Sequence, residues 1–222
     1  MSYQINDMPA QIPDADLDLL RQCETATLGH WRLRGFLSRE IQPILPGRRV
    51  VGTAVTIAIP GPDSTLLHHL LGLLRPGDFV IVDRLHDDRY ACWGGGVTVA
   101  AKAAGAVGAA VDGPCTDAEE IVASDFPMWC RGLSAITTRL YDLGGAINVP
   151  VSCGNTVVMP GDAVLADESG VLVLPRGEVA TEAKEAIARQ ERGKAREAEV
   201  RDRKIRLGDA SGATAKVLAK LA

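Results

Sequence analysis

The chain has 222 residues, 46% hydrophobic but only 4% aromatic, and a formal net charge of -4. That length can bury one continuous core without disulfides or metal staples, and a core built from Ala, Val, Leu and Ile favours α/β layering over a sandwich. The acidic balance leaves no general basic surface for phosphates, which argues against a nucleic-acid partner, and no apolar run approaches the roughly 18 residues of a membrane span.

The five cysteines, Cys23, Cys92, Cys115, Cys130 and Cys153, are odd in number and lack C-x-x-C spacing, against a disulfide framework or structural zinc and for a reducing compartment. The first residues carry neither the basic nor the apolar region of a signal peptide. The expectation is one soluble, cytoplasmic domain over 1–222, with a charged helical stretch from about 178.

In chain order, Asp14 is placed to cap a first helix bearing Leu17, Leu20 and Cys23 on its apolar face. The β-branched run Val50 to Ile59, closed by Pro60-Gly61-Pro62, reads as a buried strand and turn, followed by a short helix from Ser64 to Leu74. Two segments echo each other, Pro76-Gly77-Asp78 to Asp83 and Pro160-Gly161-Asp162 to Asp167, each a Pro-Gly turn that launches a strand. Between them, Trp93-Gly94-Gly95-Gly96 opens a helix that Gly105 ends, and Val107 to Val111 is a strand closed by Asp112-Gly113. A second helix starts at Asp117, short strands follow at 126–130, 149–159 and 171–174, and the charged C-terminal helix carries Val179, Ala183 and Ile187 until Gly193 bends or breaks it.

Three glycines opening a helix leave several N–H groups aimed at one spot before the positive end of the helix dipole, a place for a carboxylate or phosphate. The same glycines also serve close strand-helix packing, and they match neither G-x-G-x-x-G nor the P-loop. Asp117 lies just beyond a strand's carboxyl end, where parallel sheets bind ligands, and with Glu120 it also reads as a capping box. His30, His68, His69 and His86 lack zinc spacing. Cys115 has no evident base beside it and reads as a small buried side chain, while turn formation accounts for Asp112 and Asp167.

These residues resemble, in order and spacing, the family that includes the regulator of ribonuclease activity A (RraA) and the metal-dependent 4-hydroxy-4-methyl-2-oxoglutarate aldolases. Trp93-Gly94 through Ala100-Ala101 to Gly105 resembles W-G-x-x-x-[ST]-x-A-A-x-x-x-G, and Gly105 to Gly113 with Asp117 resembles G-x-x-G-x-V-x-D-G-x-x-R-D. Phe126-Pro127 with Arg131-Gly132 resembles F-P-V-F-A-R-G, and Pro160 to Val171 resembles P-G-D-x-V-x-A-D-x-x-G-V.

The resemblance implies an RraA-like α/β/β/α sandwich of the swivelling-domain type, assembled as a homotrimer or homohexamer with sites between subunits. It implies a lyase that splits or decarboxylates a small 2-oxo acid through an enolate, with Mg2+ or Mn2+ held at Asp117 and the substrate carboxylate on the backbone of Gly94, Gly95, Gly96 and Val97. A family Glu from a neighbour's C-terminal helix matches Glu199, or Glu197 in a shifted register. Two positions depart from the pattern: the family's substrate-holding Arg is Thr116, and an acidic residue after the loop's first glycine is Gly95. A Thr hydroxyl supplies neither the charge nor the fork of a guanidinium. The resemblance therefore also admits a non-catalytic RraA-like regulator that docks on a partner.

Overall fold

The β-branched run from Val50 forms the longest strand of the sheet, and both of its edges are used. A computed structural model describes residues 2–221. In order the elements are β1 (Tyr3–Ile5), α1 (Asp14–Leu20), α2 (Thr25–Leu28), β2 (Gln42–Pro43), β3 (Val50–Ala58), α3 (Thr65–Leu71), β4 (Asp78–Asp83), α4 (Gly95–Ala103), β5 (Gly108–Val111) and α5 (Ala118–Ala123). There follow β6 (Met128–Cys130), β7 (Gly145–Ile147), β8 (Val151–Cys153), β9 (Thr156–Val158), β10 (Ala163–Asp167), β11 (Gly170–Leu174), α6 (Val179–Arg201), α7 (Leu207–Ala210) and α8 (Ala213–Leu218). Along one edge β3 pairs in parallel with β4, then β5 and β6. Along the other edge its first half meets β10 and its last two residues meet β7, both antiparallel.

Side chains alternate between two faces along each strand, and the apolar ones sort accordingly into three cores. Val80 and Val82 of β4 pack with α3, α4 and α5, while Phe79 and Ile81 face a second β layer. Val164 and Ala166 of β10 share that middle core, and Ala163 and Leu165 face α1, α2 and α6. Three cores between four layers give the α/β/β/α arrangement. Burial on both faces explains why these strands read as unbroken apolar runs.

The echoed segments share one turn. Gly77 and Gly161 have φ of 90° and 89°. Asp78 N donates to Arg75 O at 3.1 Å and Asp162 N to Met159 O at 3.1 Å, and each Asp carboxylate receives the N–H three residues back. Their strands flank β3 on opposite edges, one parallel and one antiparallel.

Several sequence expectations are corrected. Asp14 is the first residue inside α1 rather than its cap, and no side chain caps that helix. Gly193 does not break α6, which runs 23 residues through it. A helical glycine costs about 1 kcal/mol, and the first half of α6 is anchored by buried Val179, Ala183 and Ala186 and by the buried Arg32 bonded to Glu178 and Glu182 at 2.6 and 3.0 Å. The carboxylate of Asp112 does not serve its own turn: it accepts from Arg131 Nε at 2.5 Å and Gly154 N at 2.8 Å, tying β5 to β6 and to the β8–β9 hairpin. Asp167 keeps its turn role through Ser169 N at 2.9 Å and also anchors Thr25 of α2.

Gly105 ends α4 with φ of 90°, and a β-carbon there would lie 2.8 Å from Pro76 Cα. Gly105→Ala is expected to cost about 1–3 kcal/mol in urea unfolding, from left-handed strain and this backbone contact. An unchanged midpoint would contradict this packing.

Candidate functional site

The parallel strands β3 to β6 end on one side of the sheet, and the chain beyond them forms a cleft of about 430 Å³. Gly94, Gly96 and Val97 line it from the start of α4, Thr116 and Asp117 from beyond β5, and Thr137 to Leu140 from the far wall. Ser64 and His68 close one side. Backbone pairing fixes the floor: Trp93 bridges Cys115, Cys115 bridges Leu133, and Thr116 N donates to Trp93 O at 2.9 Å. Trp93, fully buried, stacks on Phe126 with ring centres 5.9 Å apart, and its Nε1 donates to Thr98 Oγ1 at 3.0 Å.

Asp117 precedes α5 with φ of 52°, in the left-handed region, and caps none of its own helix N–H groups. The capping box with Glu120 therefore does not form. The left-handed turn swings the carboxylate toward α4, where Oδ2 accepts from Gly95 N at 3.1 Å and Oδ1 accepts from the Thr116 hydroxyl at 3.2 Å. This closeness accounts for Gly94. A β-carbon on residue 94 would lie 2.5 Å from Asp117 Oδ2 and 2.7 Å from Thr116 Cγ2, while one on residue 95 would meet the end of the exposed Glu120 side chain, which can turn aside. At Gly96 the space is open. Thr98 N already bonds Gly94 O, whereas the amides of Gly96 and Val97, in the first turn, lack an intrahelical acceptor and point with the helix dipole.

The structure thus brings together Gly94, Gly95, Gly96, Val97, Thr116 and Asp117. It does not bring Glu199 or Glu197 to them within one chain. Both lie exposed on α6, which packs against α1 and α2, and Glu197 lines a charged groove between α2 and α6. Among the described residues no cluster of three His, Cys, Asp or Glu forms a metal cage. Cys115 is fully buried, and burial together with the hydrogen bond it gives Cys130 pushes its thiol well above the usual range. This fits the reading of Cys115 as a small buried packing side chain.

Asp63 escaped the sequence reading, although Asp63-Ser64-Thr65 before a helix has the form of an Asx turn. Its carboxylate accepts from Thr65 N and Oγ1 at 3.0 and 2.6 Å, Tyr141 N at 2.9 Å and Leu143 N at 2.8 Å. It therefore fastens the segment that continues the cleft's far wall. Arg84, buried at the end of β4, likewise ties Gly61 and Tyr90 by donating to their carbonyls.

The sequence profile of the RraA-like family, Aldolase/RraA, matches residues 10–173. A Halalkalibacterium halodurans protein provisionally named 4-hydroxy-4-methyl-2-oxoglutarate aldolase is 32% identical over 166 residues, covering 75% of this chain and 79% of its own. A Thermus thermophilus protein named 4-hydroxy-4-methyl-2-oxoglutarate aldolase is 32% identical over 114 residues, covering 51% of this chain and 68% of its own. Among solved structures, Streptomyces coelicolor RraAS2, described as an unusual member of the RNase ES inhibitor RraA family, superposes with a TM-score of 0.76 at 26% identity, over 84% of this chain and 98% of the other.

Burial alone would raise the Asp63 carboxyl, but hydrogen bonds from the Thr65 hydroxyl and the amides of Leu143, Tyr141 and Thr65 outweigh it and bring its pKa from 3.8 to about 2. A depressed carboxyl stabilises the fold above its unfolded pKa and loses that contribution as pH falls toward the folded value. Asp63→Asn is expected to lower stability by about 2 kcal/mol at neutral pH. The difference from the native protein should shrink between pH 4 and 2, measured by urea unfolding. A difference that stays constant across that range would contradict the assignment.

Proposed function

The chain belongs to the RraA-like (Aldolase/RraA) family, and from that premise we propose that it is a divalent-metal-dependent lyase acting on a small 2-oxo acid by retro-aldol cleavage or decarboxylation. The observation that carries this reading is the Asp117 carboxylate, turned out of its own helix and held against the N-terminus of α4, beside the amides of Gly96 and Val97. These amides, at the positive end of the helix, suit a substrate carboxylate. Asp117 offers a hard oxygen ligand that fits magnesium or manganese, and the missing β-carbon of Gly94 is what leaves room for it. With few protein ligands at hand, such an ion would keep open positions for water and substrate, as magnesium does. When bound, it supplies the positive charge that a 2-oxo acid needs on its carbonyl oxygen as the neighbouring C–C bond breaks.

The chain's own residues do the rest. Gly95 N–H and the Thr116 hydroxyl fix the Asp117 carboxylate from two sides. Thr137 to Leu140 wall the cleft on its far side and so limit how a bound acid can lie in it. Thr116 is where the substrate would meet a neutral hydroxyl in place of a charged donor, which weakens stabilisation of the developing negative charge. In this reading the protein works in the cytoplasm as a homotrimer or homohexamer, and Glu199, or Glu197, completes the site from a neighbouring copy's α6. The exposure of both residues on a helix that stays with α1 and α2 supports this. A second reading, a non-catalytic regulator that docks on a partner protein, is favoured by Thr116 and by the similarity to RraAS2.

Manganese-dependent pyruvate release from oxaloacetate or 4-hydroxy-4-methyl-2-oxoglutarate is expected to be slow in the native protein and absent in Asp117→Ala. Thr116→Arg should raise the rate, since one charged donor to an oxyanion is worth about 100- to 1000-fold. Native activity surviving in Asp117→Ala would refute the site, and no activity in any variant would favour the regulator.

A further inference from the structure

Three of the five cysteines, none of them used by the chemistry above, meet beneath the cleft. Cys92, Cys115 and Cys130 are buried in one core cluster with Trp93. Cys92 also lines the cleft, and the backbone of Cys115 is bridged to Trp93 on one side and Leu133 on the other. The Cys115 thiol donates a hydrogen bond to the Cys130 sulfur, and Cys130 Sγ lies 3.2 Å from Gly132 O. Cys23 and Cys153 sit apart, in the other two cores. A second observation concerns Arg84, which is fully buried. Its Nη2 serves Gly61 O and Tyr90 O and lies 3.5 Å from Asp87 Oδ1, while among the described residues its Nε and Nη1 have no hydrogen-bond partner. Unpaired N–H groups on a buried cation are costly and call for an acceptor. Burial raises the Cys92 and Cys115 thiols, and the charge of Arg84 opposes that rise at both, so the guanidinium stands beside sulfurs.

We propose that Cys115 and Cys130 are a redox pair, which a hydroperoxide closes into a disulfide that draws the Thr116–Asp117 segment off the first turn of α4. The pair acts on the shape of the cleft, whatever binds there. The first step falls to Cys130, whose thiol the hydrogen bond from Cys115 brings from 9.0 to about 7 against the rise from burial, helped by backbone hydrogen bonds at Gly132 and Cys115. Its thiolate attacks one peroxide oxygen, the O–O bond breaks, hydroxide leaves and a sulfenic acid forms. The Cys115 sulfur then attacks the sulfenic sulfur, the S–O bond breaks, and the Cys115 proton leaves with that oxygen as water. Both thiols are thereby oxidised and the peroxide is reduced to water. The thiol hydrogen bond shortens to a covalent S–S length of about 2.05 Å. That contraction falls on Cys115, the residue before Thr116, whose hydroxyl holds Asp117 Oδ1.

The test treats the reduced, full chain with hydrogen peroxide and maps its disulfides by mass spectrometry of a non-reducing digest. Alongside, it follows amide hydrogen exchange at Gly95, whose N–H donates to Asp117. Expected are a Cys115–Cys130 link with the other three cysteines still reduced, exchange at Gly95 about 10-fold faster, and reversal of both by dithiothreitol. Cys115→Ala should stop at a sulfenic acid on Cys130 that dimedone traps, and Cys130→Ser should form no link. In neither variant should peroxide change the exchange at Gly95. Thermal melts of the reduced proteins show whether each variant folds, and either one suffices if the other does not. No link, a link between other cysteines, or a Cys115–Cys130 link that leaves Gly95 exchange unchanged would overturn the proposal.

Discussion

The approach of Asp117 to the first turn of α4, 3.1 Å from its carboxylate to the amide of Gly95, sets the terms for everything around it. At that separation residue 94 has no room for a β-carbon. The approach also needs Asp117 in a left-handed conformation, which a non-glycine residue adopts at a cost of about 1–3 kcal/mol. Neighbouring contacts hold it there: Thr116 N is bonded to Trp93 O, and Trp93 is locked by its stack on Phe126 and its bond to Thr98.

The four-layer architecture explains why the site is where it is. Strands β3 to β6 are buried on both faces, so it is in the segments beyond their ends that the chain of this layer meets solvent. At those ends the acidic residues Asp83 and Asp112 accept from Ser152 N and Gly154 N, which brace the second layer against the first. Asp63 and Arg84 hold the connecting segments from the helical side. Asp117 is the carboxylate of this rim left facing the cleft.

Much of this was legible in the sequence, for local reasons. Strands β3, β4, β5 and β10 are apolar runs bracketed by Pro-Gly or Asp-Gly turns, and the type of turn at Gly77 and Gly161 follows from the residues alone. Strands β1, β2 and β7 were not anticipated, since two or three residues carry no period and become strands only by pairing with a partner. The site residues from Gly94 to Val97 with Asp117 stood out as a group, yet the direction of the Asp117 carboxylate did not. A capping box is a local inference, while the bond to Gly95 spans 22 residues and depends on how α4 and α5 pack. Glu199 lies exposed on α6 and away from the cleft within one chain, and nothing local in the sequence says so.

In the proposed reading, the cleft sets helix-end amides and the Asp117 carboxylate beside a neutral Thr116 where a fixed charge would speed the reaction. On that reading the site binds a keto acid with a metal better than it turns one over. The most direct measurement is a crystal structure of the protein soaked with manganese and oxalate, an unreactive mimic of the pyruvate enolate. The account predicts a metal beside Asp117, with an oxalate carboxylate on the amides of Gly96 and Val97. Oxalate or manganese bound elsewhere, with the Asp117 cleft empty at saturating concentrations, would contradict it.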